Sequence, residues 1–284
     1  MDRKQVTIPS IIGKKNSRSK ITALTAYDFC FARILDATDI DIILVGDSLA
    51  MVALGFSNTL PVTMDAMILL TQAVKRGVQN SLIVGDMPFM SYQISDEQAI
   101  ANAGRFLQEG GAAAVKLEGG VKVSQKVHAI VQAGIPVMGH IGLTPQSVHQ
   151  FGGYKVQGKN LLQARQIKQD ARELEKAGAF AVVLEGIPSD LAGEITDCLK
   201  IPTIGIGAGP HCDGQILVLH DLLGLTQDFT PKFVKKYANL NAEIKKVVGS
   251  YIEEVRSGAF PGKEHSYGNE KQSLKKVDNS DGNH

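Results

Sequence analysis

Eight short apolar runs, spaced between helix-like stretches, constrain this chain more than any other feature. They occupy residues 21–25, 41–46, 82–85, 113–117, 136–139, 181–184, 203–206 and 215–219. Each is predominantly apolar and rich in β-branched or small residues. A strand covered on both faces reads this way, because neither face alternates with water. Helical patterns fall between them at 65–79, 95–108, 121–132, 160–176, 189–199 and 233–256. The second opens with Ser95-Asp-Glu-Gln98, a capping box, and several end at a glycine. Strands alternating with helices predict a parallel sheet under helical cover. Eight is the count of a closed (β/α)8 barrel, and 284 residues suit one. The alternative is an open, doubly wound sheet.

The expected domain plan follows. Residues 1–266 form one barrel domain, with 6–15 as an extra element at the bottom of the barrel. Residues 267–284 form a polar, aperiodic tail that is expected to be disordered. The pairs QEGGAAAVKLEGG and EKAGAFAVVLEGI echo each other, as βα units do.

Composition removes several classes of function. Thirty Lys and Arg balance 29 Asp and Glu, and no basic block stands out, so nucleic acid is not an expected partner. No apolar run approaches the roughly 20 residues of a membrane helix. The first fifteen residues lack the apolar core of a signal peptide. The cysteines, Cys30, Cys198 and Cys212, are odd in number and form no CxxC pair. The expectation is a cytoplasmic protein in a reducing compartment, with no membrane partner.

Four of the apolar runs end on an acid: ILVGD at Asp47, LIVGD at Asp86, AAVKLE at Glu118 and AVVLE at Glu185. Any one of them alone could be a turn or cap residue. Four together are better explained by a barrel, whose strand C-termini converge on one face where its chemistry resides. Lys116, two residues before Glu118, points to the same side of its strand. His140 closes the fifth run. A lysine inside an apolar strand needs an anion beside it, whether a carboxylate or a substrate. Clustered carboxylates repel unless a cation joins them or one keeps a proton. Oxygen donors without cysteine suit Mg²⁺ or a similar hard ion. The loop IGIGAGPHCDGQ could cradle a phosphate, but close backbone packing around a crowded pocket explains its glycines better.

The strings VGDSLAMVALGFSNTLPVT, GDMPFMSY, VKLEGG, GHIGLTPQ, LEGIP and IGIGAGPHCDGQILVLHDLLG together resemble the signatures of the ketopantoate hydroxymethyltransferase family. The resemblance runs from about residue 5 to 266. It implies a Mg²⁺-dependent (β/α)8 barrel that assembles as a homo-oligomer, typically a decamer. It also implies transfer of a one-carbon unit from 5,10-methylenetetrahydrofolate to 2-oxoisovalerate, giving ketopantoate for pantothenate and coenzyme A synthesis. Carried onto this sequence, it assigns the metal to Asp47 and Asp86, with Glu118 in the metal shell. Ser48, Lys116 and His140, with the two aspartates, would meet the oxo acid. Glu185 would accept the proton lost from C3 as a metal-stabilised enolate forms. The folate-binding residues are not legible. Two rivals use similar residues. One is a Mg²⁺-dependent carbon–carbon lyase of the isocitrate-lyase type, which usually wants a cysteine in a mobile loop. The other is a non-catalytic ligand-binding barrel, in which a cluster of acids, lysine and histidine would cost stability for nothing.

Overall fold

The computed structural model describes residues 4–226 and 230–267. Its eight strands are β1 (Ile21–Thr25), β2 (Ile42–Val45), β3 (Leu82–Asp86), β4 (Ala114–Glu118), β5 (Val137–Gly142), β6 (Ala181–Glu185), β7 (Thr203–Ile206) and β8 (Gly214–Leu217). Every neighbouring pair is parallel, and β8 pairs back onto β1, so the sheet is a closed barrel in sequence order. The (β/α)8 barrel is the observed fold.

The helices are α1 (Ile8–Ser17), α2 (Phe29–Asp36), α3 (Leu49–Val52), α4 (Met64–Gly77), α5 (Asp96–Gln108) and α6 (Ser124–Gln132). They continue with α7 (Val148–Phe151), α8 (Leu161–Lys176), α9 (Ser189–Cys198), α10 (Leu219–Leu222) and α11 (Leu240–Ser257). Side-chain caps open several of them. Thr63 accepts from the Ala66 amide at α4, and Ser95 accepts from the Gln98 amide at α5. The structure shortens two predicted elements. The helix expected over 233–256 starts at Leu240, where Asn239 caps the amide of Ala242. The last strand stops at Leu217, because Leu219 opens α10 and its amide donates to Thr25 Oγ1.

Strand parity divides the core in two. Ile42 and Leu44, Leu82 and Val84, and Ala181 and Val183 pack inside the barrel with Ile21, Met138, Ile204 and Ile216. Ile43 and Val45, Ile83, and Val182 and Leu184 pack outward against the helices. Helix α1 contributes the fully buried Ile11 to the inner cluster. Lys14 and Lys15 of α1 pair with Asp41 and Asp213, which immediately precede β2 and β8, each within 2.8 Å. Helix α1 therefore lies at the N-terminal end of the barrel, leaving the C-terminal end for chemistry.

Contacts within the chain define a first compact unit up to Ala238 and a second from Asn239 onward. The second unit contains α11, which buries none of its residues and exposes Ile244, Val247, Val248, Tyr251, Ile252 and Val255. Apart from Tyr267, the predicted polar tail lies outside the described residues. Among the described residues, no helix is long and apolar enough to cross a membrane.

Gly85 shows how tightly β3 is held against its helix. A Cβ at this position would overlap the Phe106 ring of α5. Gly85→Ala should therefore destabilise the protein by about 1–3 kcal/mol, as overpacking does. Adding Phe106→Leu should recover part of the loss in urea denaturation. A single variant as stable as the parent would contradict this packing.

Candidate active site

The same parity rule that separates the two cores aims polar side chains into the mouth of the barrel. Asp86 continues the inward series Leu82, Val84. Lys116 and Glu118 continue it from Ala114, His140 from Met138, and Glu185 from Ala181 and Val183. Interstrand register sets Asp86 beside Lys116 and Glu118 beside His140. Asp47 arrives differently. It lies two residues beyond the end of β2, in the turn before α3. Its backbone amide donates to Asp86 Oδ2 at 3.0 Å, which draws it into the cluster.

The cluster is dry. Asp47, Asp86, Lys116, Glu118 and His140 are each 5 % exposed or less. Lys116 Nζ lies 2.8 Å from Asp86 Oδ1. His140 bridges the two glutamates, with Nδ1 3.4 Å from Glu118 Oε1 and Nε2 3.1 Å from Glu185 Oε2. The second contact is at ion-pair distance but off the hydrogen-bonding direction, so Nε2 has no hydrogen-bond partner. Lys116 Nζ also stands 3.3 Å from His140 Nδ1.

Burial and charge shift these groups together. Desolvation raises the proton affinity of Asp47 well above the usual carboxylate range, and the charges of Asp86 and Glu118 add to it. Desolvation also raises that of Asp86, against the pull of Lys116. For Lys116, burial opposes the charge, but Asp86, Glu118 and Asp47 together outweigh it, so the lysine stays protonated. Burial and Lys116 likewise oppose charge on His140, yet the close carboxylates of Glu118 and Glu185 raise its pKa to about 9. His140 is therefore an imidazolium at neutral pH. Its Nδ1 faces Glu118 Oε1 at ion-pair distance, with Lys116 Nζ as a like-charged neighbour.

Four carboxylates thus face two cations, and a divalent ion would cancel the excess negative charge. The donor set fits such an ion. All the donors are hard oxygens, and Asp86 Oδ1 and Glu118 Oε1 are buried without a hydrogen-bond partner. Among the described residues, no three His, Cys, Asp or Glu side chains are gathered as a ready-made metal cage. Mg²⁺ suits this arrangement, because it commonly takes one or two carboxylates and completes its shell with water and substrate. Asp47 and Asp86 are the pair that would hold it, with Glu118 close behind.

Further residues complete the site. Ser48 Oγ shares a 2.9 Å hydrogen bond with the Tyr27 hydroxyl. Gln146, in the turn after β5, bonds Asp47 through its side chain and Glu118 through its backbone amide. Tyr92 reaches Gln146 from behind. Gln146 and Tyr92 both lie inside the motif strings GHIGLTPQ and GDMPFMSY, but nothing in their spacing marks them as partners of the acids. The GIGAG loop follows β7, and packing accounts for its glycines. At Gly209, for example, φ is +78° and a Cβ would run into Ser189.

Comparison with known proteins adds to this picture. The ketopantoate hydroxymethyltransferase family model matches residues 5–263. A 3-methyl-2-oxobutanoate hydroxymethyltransferase of Pelobacter propionicus is 58 % identical over 265 residues, covering 93 % of this chain and 98 % of the relative. One from a Thermoanaerobacter species is 58 % identical over 275 residues, covering 97 % and 100 %. Among solved structures, phosphonopyruvate hydrolase in complex with oxalate and Mg²⁺ superposes with a TM-score of 0.60 at 12 % identity, covering 92 % of this chain and 93 % of that one. A 2,3-dimethylmalate lyase of the PEP mutase/isocitrate lyase superfamily gives 0.59 at 14 % identity, covering 92 % and 89 %. At such identities these two structures speak to the fold alone.

The state of His140 predicts how stability depends on pH in protein stripped of divalent ions. Its folded pKa of about 9 lies above the unfolded value of about 6.5. Its contribution is therefore complete below pH ~6.5 and is lost as pH rises through 9. The raised Asp47 acts in the same direction, because it too favours the protonated folded state. Chemical denaturation in chelator should show stability falling from pH 6 to pH 9, by on the order of a few kcal/mol. His140→Asn should flatten the alkaline part of this fall. A variant profile parallel to the parent's would contradict the assignment.

Proposed function

The chain belongs to the ketopantoate hydroxymethyltransferase family and is a hydroxymethyl-transferring enzyme, and from that premise we propose how its own residues carry the reaction. The acceptor is 2-oxoisovalerate, the donor is 5,10-methylenetetrahydrofolate, and the product serves pantothenate synthesis in the cytoplasm. One observation carries the site assignment. A dry cluster with excess negative charge sits at the C-terminal mouth of the barrel, with Lys116 and His140 as its only cations among the described residues.

Asp47 and Asp86 would hold Mg²⁺, with Glu118 supporting them. Bound there, the ion would supply Lewis acidity to a 2-oxo acid. The protein does the rest. Lys116 offers a fixed positive charge to the substrate carboxylate, preorganised by Asp86. Ser48, oriented by Tyr27, offers a hydroxyl to the same substrate. Glu185, on β6, is not among the residues assigned to the ion and keeps one face to the pocket, with its side chain 14 % exposed. Its carboxylate takes the C3 proton, and the electrons of that bond shift toward the keto oxygen. Water adds to the methylene carbon of the folate, both of its C–N bonds break, and the two nitrogens take the water protons. Tetrahydrofolate leaves, and the one-carbon unit is left at the formaldehyde level. C3 then adds to that carbon, and its water-derived oxygen takes the proton back from Glu185 to become the hydroxyl. His140 orients Glu185 from 3.1 Å and keeps it apart from Glu118.

The same reading extends to assembly. The chain self-associates, and the exposed apolar side chains of α11 are the kind of surface that an oligomer covers. Light scattering at working concentration measures the state directly.

The decisive experiment isolates proton transfer. Incubated with Mg²⁺ and 2-oxoisovalerate in D₂O without folate, the enzyme should exchange the C3 proton. Cleavage of the oxo acid would favour a lyase instead, and silence would favour a non-catalytic barrel. Glu185→Gln keeps the shape and removes the base. It should still bind the oxo acid while exchange slows about 10²–10⁴-fold. Exchange at the parent rate, with transfer abolished, would move Glu185 to the folate half of the reaction.

A further inference from the structure

Gln146 is a neutral residue that touches the acid cluster through both its side chain and its backbone, and both of its side-chain N–H groups are engaged. It is 6 % exposed, although it belongs to a turn. Its backbone amide donates to Glu118 Oε2 at 3.0 Å. Its side-chain nitrogen donates to Asp47 Oδ2 at 2.9 Å and to the Met87 carbonyl at 3.0 Å. Its side-chain oxygen accepts from the Tyr92 hydroxyl at 2.8 Å.

The amide can take only one orientation. Tyr92 is 1 % exposed. Its hydroxyl oxygen already accepts from the Glu118 amide at 3.2 Å. Its single hydrogen is thus free to donate to Gln146 Oε1, the shortest contact it makes. A flipped amide would turn both hydrogens away from Asp47 and Met87 and set its oxygen against two acceptors. The Met87 carbonyl, which can only accept, therefore fixes Gln146 as a donor toward Asp47, and Tyr92 satisfies the amide oxygen.

The consequence is a common pattern across the three acids. Asp47 has Oδ2 held by Gln146, Asp86 has Oδ2 held by the Asp47 amide, and Glu118 has Oε2 held by the Gln146 amide. In each, a neutral N–H donor fixes one oxygen. The opposite oxygens of Asp86 and Glu118 have no hydrogen-bond partner and face only Lys116 or His140 at ion-pair distance. A neutral donor can hold these carboxylates in place without spending the positive charge that would neutralise them.

We infer that Gln146, held by the Met87 carbonyl and Tyr92, is a positioning residue that presents Asp47 and Glu118 to the divalent ion. This rests on the reading of Asp47 and Asp86 as the pair that holds that ion. Partners of this kind, behind metal-binding side chains, typically change metal affinity 10–100-fold when removed.

The test is titration calorimetry of the chelator-stripped full-length enzyme with MgCl₂ alone, with circular dichroism and thermal melting run in parallel. Gln146→Met keeps length and volume, leaves the backbone bond to Glu118, and removes the side-chain donors. It should weaken Mg²⁺ binding about 10–100-fold. Tyr92→Phe leaves Gln146 in place but takes away the donor to its buried amide oxygen, so the amide is held less firmly. It should weaken binding in the same direction by a smaller factor, and it carries the test if Gln146→Met fails to fold. A residue that merely pins its turn would lower the melting temperature and leave Mg²⁺ affinity unchanged. Parent-like affinity in a folded Gln146→Met, or in Tyr92→Phe where the first variant does not fold, would overturn the inference. Absence of saturable Mg²⁺ binding by the unmodified enzyme would overturn the metal reading first, and this inference with it.

Discussion

Lys116 is the charge on which the rest of the site depends. A closed barrel excludes water from its interior, so each carboxylate at its mouth carries a desolvation cost and repels the next. Without a buried cation, such acids would keep their protons or force the strands apart. Lys116 sits inside β4, 2.8 Å from Asp86, and its charge acts on Asp47 and His140 as well. Its position follows from strand alternation, which carries it inward with Ala114 and Glu118. One residue earlier or later, it would face the helices. Taking one partner from such a pair leaves the other buried and uncompensated, which is far costlier than losing a surface ion pair.

Charge is only part of the organisation. Backbone and amide N–H groups hold one oxygen of each of Asp47, Asp86 and Glu118, and this fixes orientation without neutralising charge. His140 adds the second cation and ties β5 to Glu118 on one side and Glu185 on the other. Three of the acids are therefore oriented by the protein itself, the condition for electrostatic catalysis without reorganisation. The apolar inner core and α1 close the far end of the barrel, so chemistry is confined to one face.

Much of this was determined by the amino-acid sequence alone. Eight apolar runs specified the barrel, because a strand covered on both faces has few other ways to be satisfied. The pairing of Lys116 with Glu118 on one face follows from a two-residue period, and the ordered motif strings carry the family resemblance by themselves. Tertiary structure decided what no local rule carries. Asp47 reaches Asp86 from a turn, across 39 residues, and Gln146 reaches Asp47 across 99. The Met87 carbonyl and Tyr92 set the direction of the Gln146 amide, and the last helix waits until Leu240. Periodicity fixes which way a side chain points within its own strand. Which distant groups then meet depends on how loops close over a finished barrel, and on which buried polar atoms must find partners once water has gone.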